Sequence, residues 1–202
     1  MKNQYSFSEI ISTGIALVIT KIFYKKARLI RRPVYIRGKS SLSFAEGFTT
    51  GHACRFDLPG GMKETLIIGK NCEIGDNVHF VAHEKVVIGD NVLMASKIFI
   101  SDTNHGEYSG DQQSSPSTPP NKRPLITKPV MIGDNVWIGE NVCILPGVTI
   151  GAGCIIGANS VVNKDIPTNC IAVGAPAKIV KIYNNDKGVW IKWSLFKMER
   201  GG

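Results

Sequence analysis

At 202 residues the chain is long enough for one domain with an appendage, and 43% apolar against 20% charged residues excludes a disordered or fibrous chain. The formal charge of +8 sits at one end: residues 1–40 carry nine Lys and Arg against the single acid Glu9, so the other 162 residues hold fifteen of each sign and balance. The basic character therefore belongs to an N-terminal arm, and no aromatic-basic module accompanies it that would point to nucleic acid.

Residues 7–24 read as a helix, with Ser6 or Ser8 as N-cap and Ile11, Ile15, Val18 and Ile22 along one face. Lys25, Lys26, Arg28, Arg31 and Arg32 come next, before Pro33 ends it. Residues 1–33 are thus set apart as an amphipathic basic arm. Two compatible roles fit: peripheral contact of residues 7–32 with an anionic membrane, or a cap over the open end of the domain that begins at residue 34. The apolar run 10–20 is too short to span a bilayer, and Glu9 ahead of it and the missing small-residue cleavage site argue against a secretory leader. Five cysteines, odd in number and without a CxxC pair, suit a reducing compartment, so the expected location is the cytoplasm, against the inner face of the membrane if the arm binds it.

Residues 34–182 carry a repeat. Ile132, Ile138, Ile144, Ile150, Ile156 and Val162 fall six apart, and Gly133, Gly139, Gly151 and Gly157 come directly after four of them. "IGDN" occurs at 74–77, 88–91 and 132–135, and a weaker echo of the spacing runs through Ile36, Leu42, Phe48 and Cys54. Neither a helix nor an ordinary strand has period six. A short strand with its aliphatic turned inward, then a corner of Gly, Asp or Asn, accounts for each hexad. Three hexads close one coil of a three-sided parallel β-helix, which makes the fold class all-β with an α-helical arm. Two stretches break the period, 56–65 and the longer insertion 101–130, whose five prolines and many polar residues mark it as loop. Residues 183–202 are read as a C-terminal tail.

The stretch "IGDNVWIGENVCILPGVTIGAGCIIGANSVVNKDIPTNCIAVGAPAKIVK" resembles the hexapeptide-repeat acyltransferases, most of all the branch of maltose and galactoside O-acetyltransferases and the sugar O-acetyltransferases of surface-polysaccharide (O-antigen or capsule) pathways. The resemblance covers residues 68–181. It implies a left-handed β-helix, a homotrimer, acetyl-CoA as co-substrate, a sugar acceptor and no metal. "SDTNHGEY" at the head of the long loop matches the family's histidine-bearing stretch, so His105 is the implied general base. Imidazole suits that task because it titrates at about pH 6.5.

Asp102 and Asn104 flank His105 and could orient the ring or the acceptor, or only bond their own turn. Asn77 and His79, one coil earlier, are the nearest matches to the family's acceptor-binding residues, although Asn77 also fits a plain corner position. On the donor side the resemblance assigns Trp137, an outward aromatic, to the pantetheine arm, with Ala158 where the cofactor passes close. Asn163 and Lys164 match a CoA-contacting pair, and Lys178 and Lys181 stand where the family meets nucleotide phosphates. Rival readings are an N-acetyltransferase acting on an amino sugar or nucleotide sugar, a γ-carbonic-anhydrase-like metal enzyme, whose histidine spacing is not matched here, and a catalytically silent scaffold.

Overall fold

The computed structural model describes residues 5–59 and 64–199. Short parallel strands stack into three flat faces. The first face runs through Leu29–Ile30, Thr49–Thr50, Glu73–Ile74, Leu93–Met94, Trp137–Ile138, Ile155–Ile156 and Cys170–Val173. The second holds Val34–Arg37, Cys54–Asp57, His79–Val81, Phe99–Ser101, Cys143–Ile144 and Val161–Val162, and the third Leu42–Phe44, Leu66–Ile68, Val86–Ile88, Val130–Ile132 and Thr149–Ile150. Ile138 pairs with Ile156 and Ile144 with Val162, each eighteen residues on, which is the coil length expected of three hexads.

Each hexad buries two side chains, not one. Beside the principal row lies a second, two residues earlier: Val136 with Ile138, Val142 with Ile144 and Val148 with Ile150 are all buried. Period two within the strand puts both on the inner side, and each such aliphatic contributes about 1.5–3 kcal/mol of burial. The early echo straddles these rows. Phe48 and Cys54 belong to the second row, while Ile36 and Phe44, the principal residues of their strands, are eight apart because Gly38 and the 3-10 turn Lys39–Ser41 lengthen that corner.

The corners use residue types expected of them, in two separate roles. Gly47, Gly147 and Gly153 take the left-handed corner backbone at φ between 69° and 83°, and asparagine takes it more often: Asn71, Asn77, Asn91, Asn135, Asn141, Asn159 and Asn169 have φ between 54° and 59°. Their amides form ladders from coil to coil, as from Asn141 to Asn159 at 2.9 Å. The glycine just after the aliphatic is needed for close approach instead. A Cβ on Gly139 would lie 2.6 Å from the backbone nitrogen of Ala158 in the next coil.

Helix α1, Phe7–Phe23, starts with a capping box: the Ser6 side chain accepts from the Glu9 amide, and the Glu9 carboxylate accepts from the Ser6 amide at 2.7 Å. Only Ala16 and Thr20 of α1 are buried, and Thr20 Oγ1 accepts from the Ile30 amide at 2.9 Å. The first coil is closed by Ala27 and Ile30, with Tyr24, Phe44 and Phe48 in ring contact beneath. At the other end Lys178–Asn184 and Val189–Lys192 add an antiparallel hairpin to the first face, and α2, Trp193–Glu199, packs on that hairpin. Residues 183–199, read from sequence only as a tail, therefore extend the sheet and shield its edge. All five cysteines are free; burial pushes the Cys54 and Cys170 thiols up to about 11.

Candidate active site

The long excursion leaves the second face after Ser101. Met94 pairs with Ile138, 44 residues later, so the excess over an 18-residue coil is 26. Its base is a two-stranded ribbon: Thr103–His105 runs antiparallel to Leu125–Thr127, with His105 opposite Leu125. Asn104 and His105 are both exposed, and as strand neighbours they point to opposite sides of the ribbon. The His105 ring makes no hydrogen bond among the described residues, whereas its backbone is held. Its carbonyl accepts from the Tyr108 hydroxyl, which accepts in turn from Arg123 Nη1 at 2.7 Å. Arg123 also donates to the carbonyls of Thr118 and Pro116, drawing the loop together. Gly106, at φ 111°, makes the turn that lets Tyr108 fold back. Tyr108 and Arg123 were not foreseen from sequence, because they stand 15 positions apart in the loop.

Asp102 does not share the solvent with Asn104 and His105. It is fully buried, and its carboxylate accepts from the amides of His83 (3.0 Å), Glu84 (2.7 Å) and Lys85 (2.8 Å) and from Thr103 Oγ1 (2.7 Å). It ties the start of the ribbon to a corner of the preceding coil, so it is placed to position the His105 strand rather than to touch an acceptor.

Along the outer side of the second face Tyr35, Arg55, His79, Phe99, Cys143 and Val161 stack in register. His79 packs against Phe99, with centroids 5.3 Å apart, and its Nε2 lies 3.0 Å from Asp57 Oδ2. Arg55 Nε donates to the same oxygen at 2.7 Å, and Arg37 Nε lies 3.5 Å from the other. Asn77 stands apart from this cluster, a left-handed corner residue whose amide donates to the His52 carbonyl at 2.8 Å. Asp57 was missed in the sequence, although Arg55 and Asp57 sit two apart on one strand, a spacing that puts opposite charges on one side.

Burial by itself would raise the Asp57 carboxyl, but hydrogen bonds from Arg55 and His79 and the charges of Arg55 and Arg37 outweigh it and hold it below its ordinary value. Its folded-state value is thus beneath the unfolded one of about 3.9, so the stabilisation is complete at neutral pH and is lost as pH falls through 4 and below. Asp57→Asn is expected to flatten the acid side of the stability curve, seen as denaturation midpoints that change less between pH 5 and pH 3 than in wild type.

The residues expected on the donor side are split between the His105 edge and another face of the prism. Trp137 is 51% exposed on the outer side of the first face, in register with Leu93 and Ile155. Exposed Ala158 forms the corner between first and second faces. Asn163 and Lys164, also exposed, come after the second face at Val162, along the same prism edge that Ser101 and His105 leave two coils earlier. Lys178 and Lys181 are exposed on the hairpin, with Lys181 paired to Ile171 at the far end of the Trp137 face. A single prism therefore divides these residues between two regions, with His105, Asn163 and Lys164 on one edge and Trp137, Lys178 and Lys181 on a face. No three His, Cys, Asp or Glu side chains among the described residues converge as metal ligands would.

Residues 129–164 match the family model "Bacterial transferase hexapeptide (six repeats)". The putative lipopolysaccharide biosynthesis O-acetyl transferase WbbJ of Escherichia coli K12 is 45% identical over 177 residues, covering 87% of this chain and 89% of that one. The galactoside O-acetyltransferase of the same strain is 39% identical over 126 residues, 62% of this chain and 58% of that one. Among solved structures the hexapeptide-repeat acetyltransferase VCA0836 of Vibrio cholerae superposes with a TM-score of 0.56 at 30% identity, over 72% of this chain and 75% of that one. It has also been solved with acetyl coenzyme A, where the TM-score is 0.52 at 27% identity, over 79% of this chain and 69% of that one.

Proposed function

Because the chain belongs to the hexapeptide-repeat family of bacterial transferases, with that family's left-handed β-helix, we propose that it is an acetyl-CoA-dependent O-acetyltransferase. Its acceptor is a sugar hydroxyl of a surface polysaccharide or of its lipid-linked precursor, and His105 is the general base. The observation that carries the reading is His105 itself: a solvent-facing imidazole whose backbone is fixed by the ribbon, by Tyr108 and, through Asp102, by the preceding coil.

In this reading the imidazole accepts the proton of the acceptor hydroxyl as its oxygen attacks the thioester carbon. The tetrahedral intermediate collapses with cleavage of the C–S bond, and the leaving sulfur takes the proton from the imidazolium. Transfer is direct. Trp137 and Ala158 line the pantetheine path, Asn163 and Lys164 hold it near the thioester, and Lys178 and Lys181 meet the nucleotide phosphates. Since one prism keeps His105 and Trp137 apart, the donor groove is completed by a neighbouring copy, and a three-sided prism suits a homotrimer. The five free thiols agree with a cytoplasmic location.

Two features support the sugar class: the 45% identical relative carries a lipopolysaccharide name and the 39% identical one a galactoside name. The test is release of CoA thiol across a panel of sugars, amino sugars, nucleotide sugars and lipopolysaccharide fragments. We expect turnover with a hydroxyl acceptor, mass spectrometry showing an ester on the product. Turnover only with amino acceptors, giving amides, would replace the O-acetyl reading with the N-acetyl one, and no CoA binding by calorimetry would sink both.

A further inference from the structure

Helix α1 is mounted inside out. Ala16 and Thr20 face the prism, while Phe7, Ile10, Ile11, Ile15, Val18 and Ile22 are between 48% and 78% exposed. At about 100° per residue, Phe7, Ile11, Ile15, Val18 and Ile22 fall within roughly a quarter-turn, on the side opposite Ala16 and Thr20. An amphipathic helix on a globular surface normally shows the reverse arrangement. A run of this size is more exposed apolar surface than a soluble chain leaves bare without use. No helix among the described residues is long and apolar enough to cross a membrane, so the stripe lies on its partner rather than through it.

Charge identifies that partner. Lys21 borders the apolar stripe, and together with Lys25, Lys26 and Arg28 it lines a surface concavity of about 430 Å³ at the C-terminal end of the helix, where four cations face the single acid Glu46. Arg28 is paired with Glu73, but Lys25, Lys26 and Arg32 are exposed, and the arm's own acid, Glu9, is spent on Ser6 at the other end of the helix. The body balances to zero, so it offers no acidic surplus to neutralise the arm. Pairing two copies in parallel through these stripes would bring two basic clusters together, and antiparallel pairing would leave both clusters without a counter-charge. A bilayer with anionic headgroups offers acyl chains for the stripe and phosphates for the concavity at one surface.

We infer that residues 7–32 form a membrane-docking surface, with the exposed side of α1 lying in the headgroup region of an anionic phospholipid bilayer and Lys21, Lys25 and Lys26 engaging lipid phosphates. This holds whatever reaction the prism carries out.

The test is flotation of the full chain with vesicles of phosphatidylcholine alone, or with about one third phosphatidylglycerol, at low and high salt. Wild type should float with the anionic vesicles, weaken as salt rises and stay behind with the neutral ones. Lys25→Glu with Lys26→Glu should weaken binding at least about 30-fold, since each surface lysine contributes roughly a factor of five. Ile11→Ser with Val18→Ser should lower it at least about tenfold at unchanged charge. All four side chains are exposed, so melting temperatures should match wild type and confirm folded variants. Equal binding to neutral vesicles, or charge variants that bind like wild type, would overturn the inference. So would failure to float combined with a smaller assembly for Ile11→Ser/Val18→Ser in sedimentation, which would assign the stripe to contact between copies.

Discussion

His105→Ala is expected to lower the rate of acetyl transfer by about 10²–10⁴-fold, or roughly 2.7–5.4 kcal/mol of transition-state stabilisation. The range reflects the group removed. A sugar hydroxyl at neutral pH attacks a thioester poorly until something takes its proton, and no other imidazole lies on this ribbon. The loss should appear in kcat, because in the proposed mechanism the ring accepts a proton only as the reaction proceeds. Acetyl-CoA affinity by calorimetry should be unchanged, since the proposed donor residues Trp137, Lys178 and Lys181 lie on another face, and Asn163 and Lys164 come two coils beyond His105 along its edge. The melting temperature should hold within about a degree, since the exposed ring forms no hydrogen bond among the described residues. A variant that kept more than a tenth of wild-type turnover would remove His105 from the mechanism. One that lost activity together with acetyl-CoA binding would move it to the donor side.

Asp102→Ala should behave differently, losing stability and turnover together. The buried carboxylate accepts four hydrogen bonds, three of them from consecutive backbone amides of residues 83–85. Removing it strands those donors away from water, at a cost of about 3–5 kcal/mol. For a chain of this size that is a fall in melting temperature of about 10 °C. Asparagine is not a rescue. Oδ1 receives the His83 amide and the Thr103 hydroxyl, and Oδ2 the Glu84 and Lys85 amides, so an NH2 in either orientation faces donors. With this anchor gone the Thr103–His105 strand is less well fixed, and kcat should fall while KM for acetyl-CoA stays put. Thermal melts beside steady-state kinetics make the check. A melting point within 2 °C of wild type would show that the corner at 83–85 does not depend on this side chain.

The solenoid was legible because a coil that stacks on copies of itself imposes the same demand every eighteen residues. Ile132 to Val162 advertise the demand without interruption. Trp137 could be called outward from its place in the hexad alone. The register slips between Ile36 and Phe44, where an added 3-10 turn lengthens the corner, and again between Phe80 and Ile88, also eight apart, while the chain still supplies apolar residues at each step. The two roles at a corner could not be separated from sequence because Gly and Asn both tolerate unusual backbone. Only the approach of the next coil at Gly139 shows that glycine is there for lack of a Cβ. The site was less legible, for a related reason. Asp102 meets amides 17–19 residues back, His79 meets Asp57 across 22 residues, and Arg123 meets Tyr108 across 15. Hexad spacing orders the side chains facing the core; it says nothing about pairs on the outer surface or within a loop.

The excursion that carries His105 has a further consequence. Lys128 N donates to the Asp102 carbonyl at 2.8 Å, so the chain returns to the prism beside the point where it left, and Val130 resumes the third face opposite Val86 as though nothing had intervened. Residues between those two points can be lengthened, shortened or exchanged while the coils above and below keep their spacing. Variation among descendants of such a protein can therefore accumulate in the graft without eroding the stock. Around a retained His105 the loop can be rewritten, while the stacked frame, Trp137 included, is inherited intact.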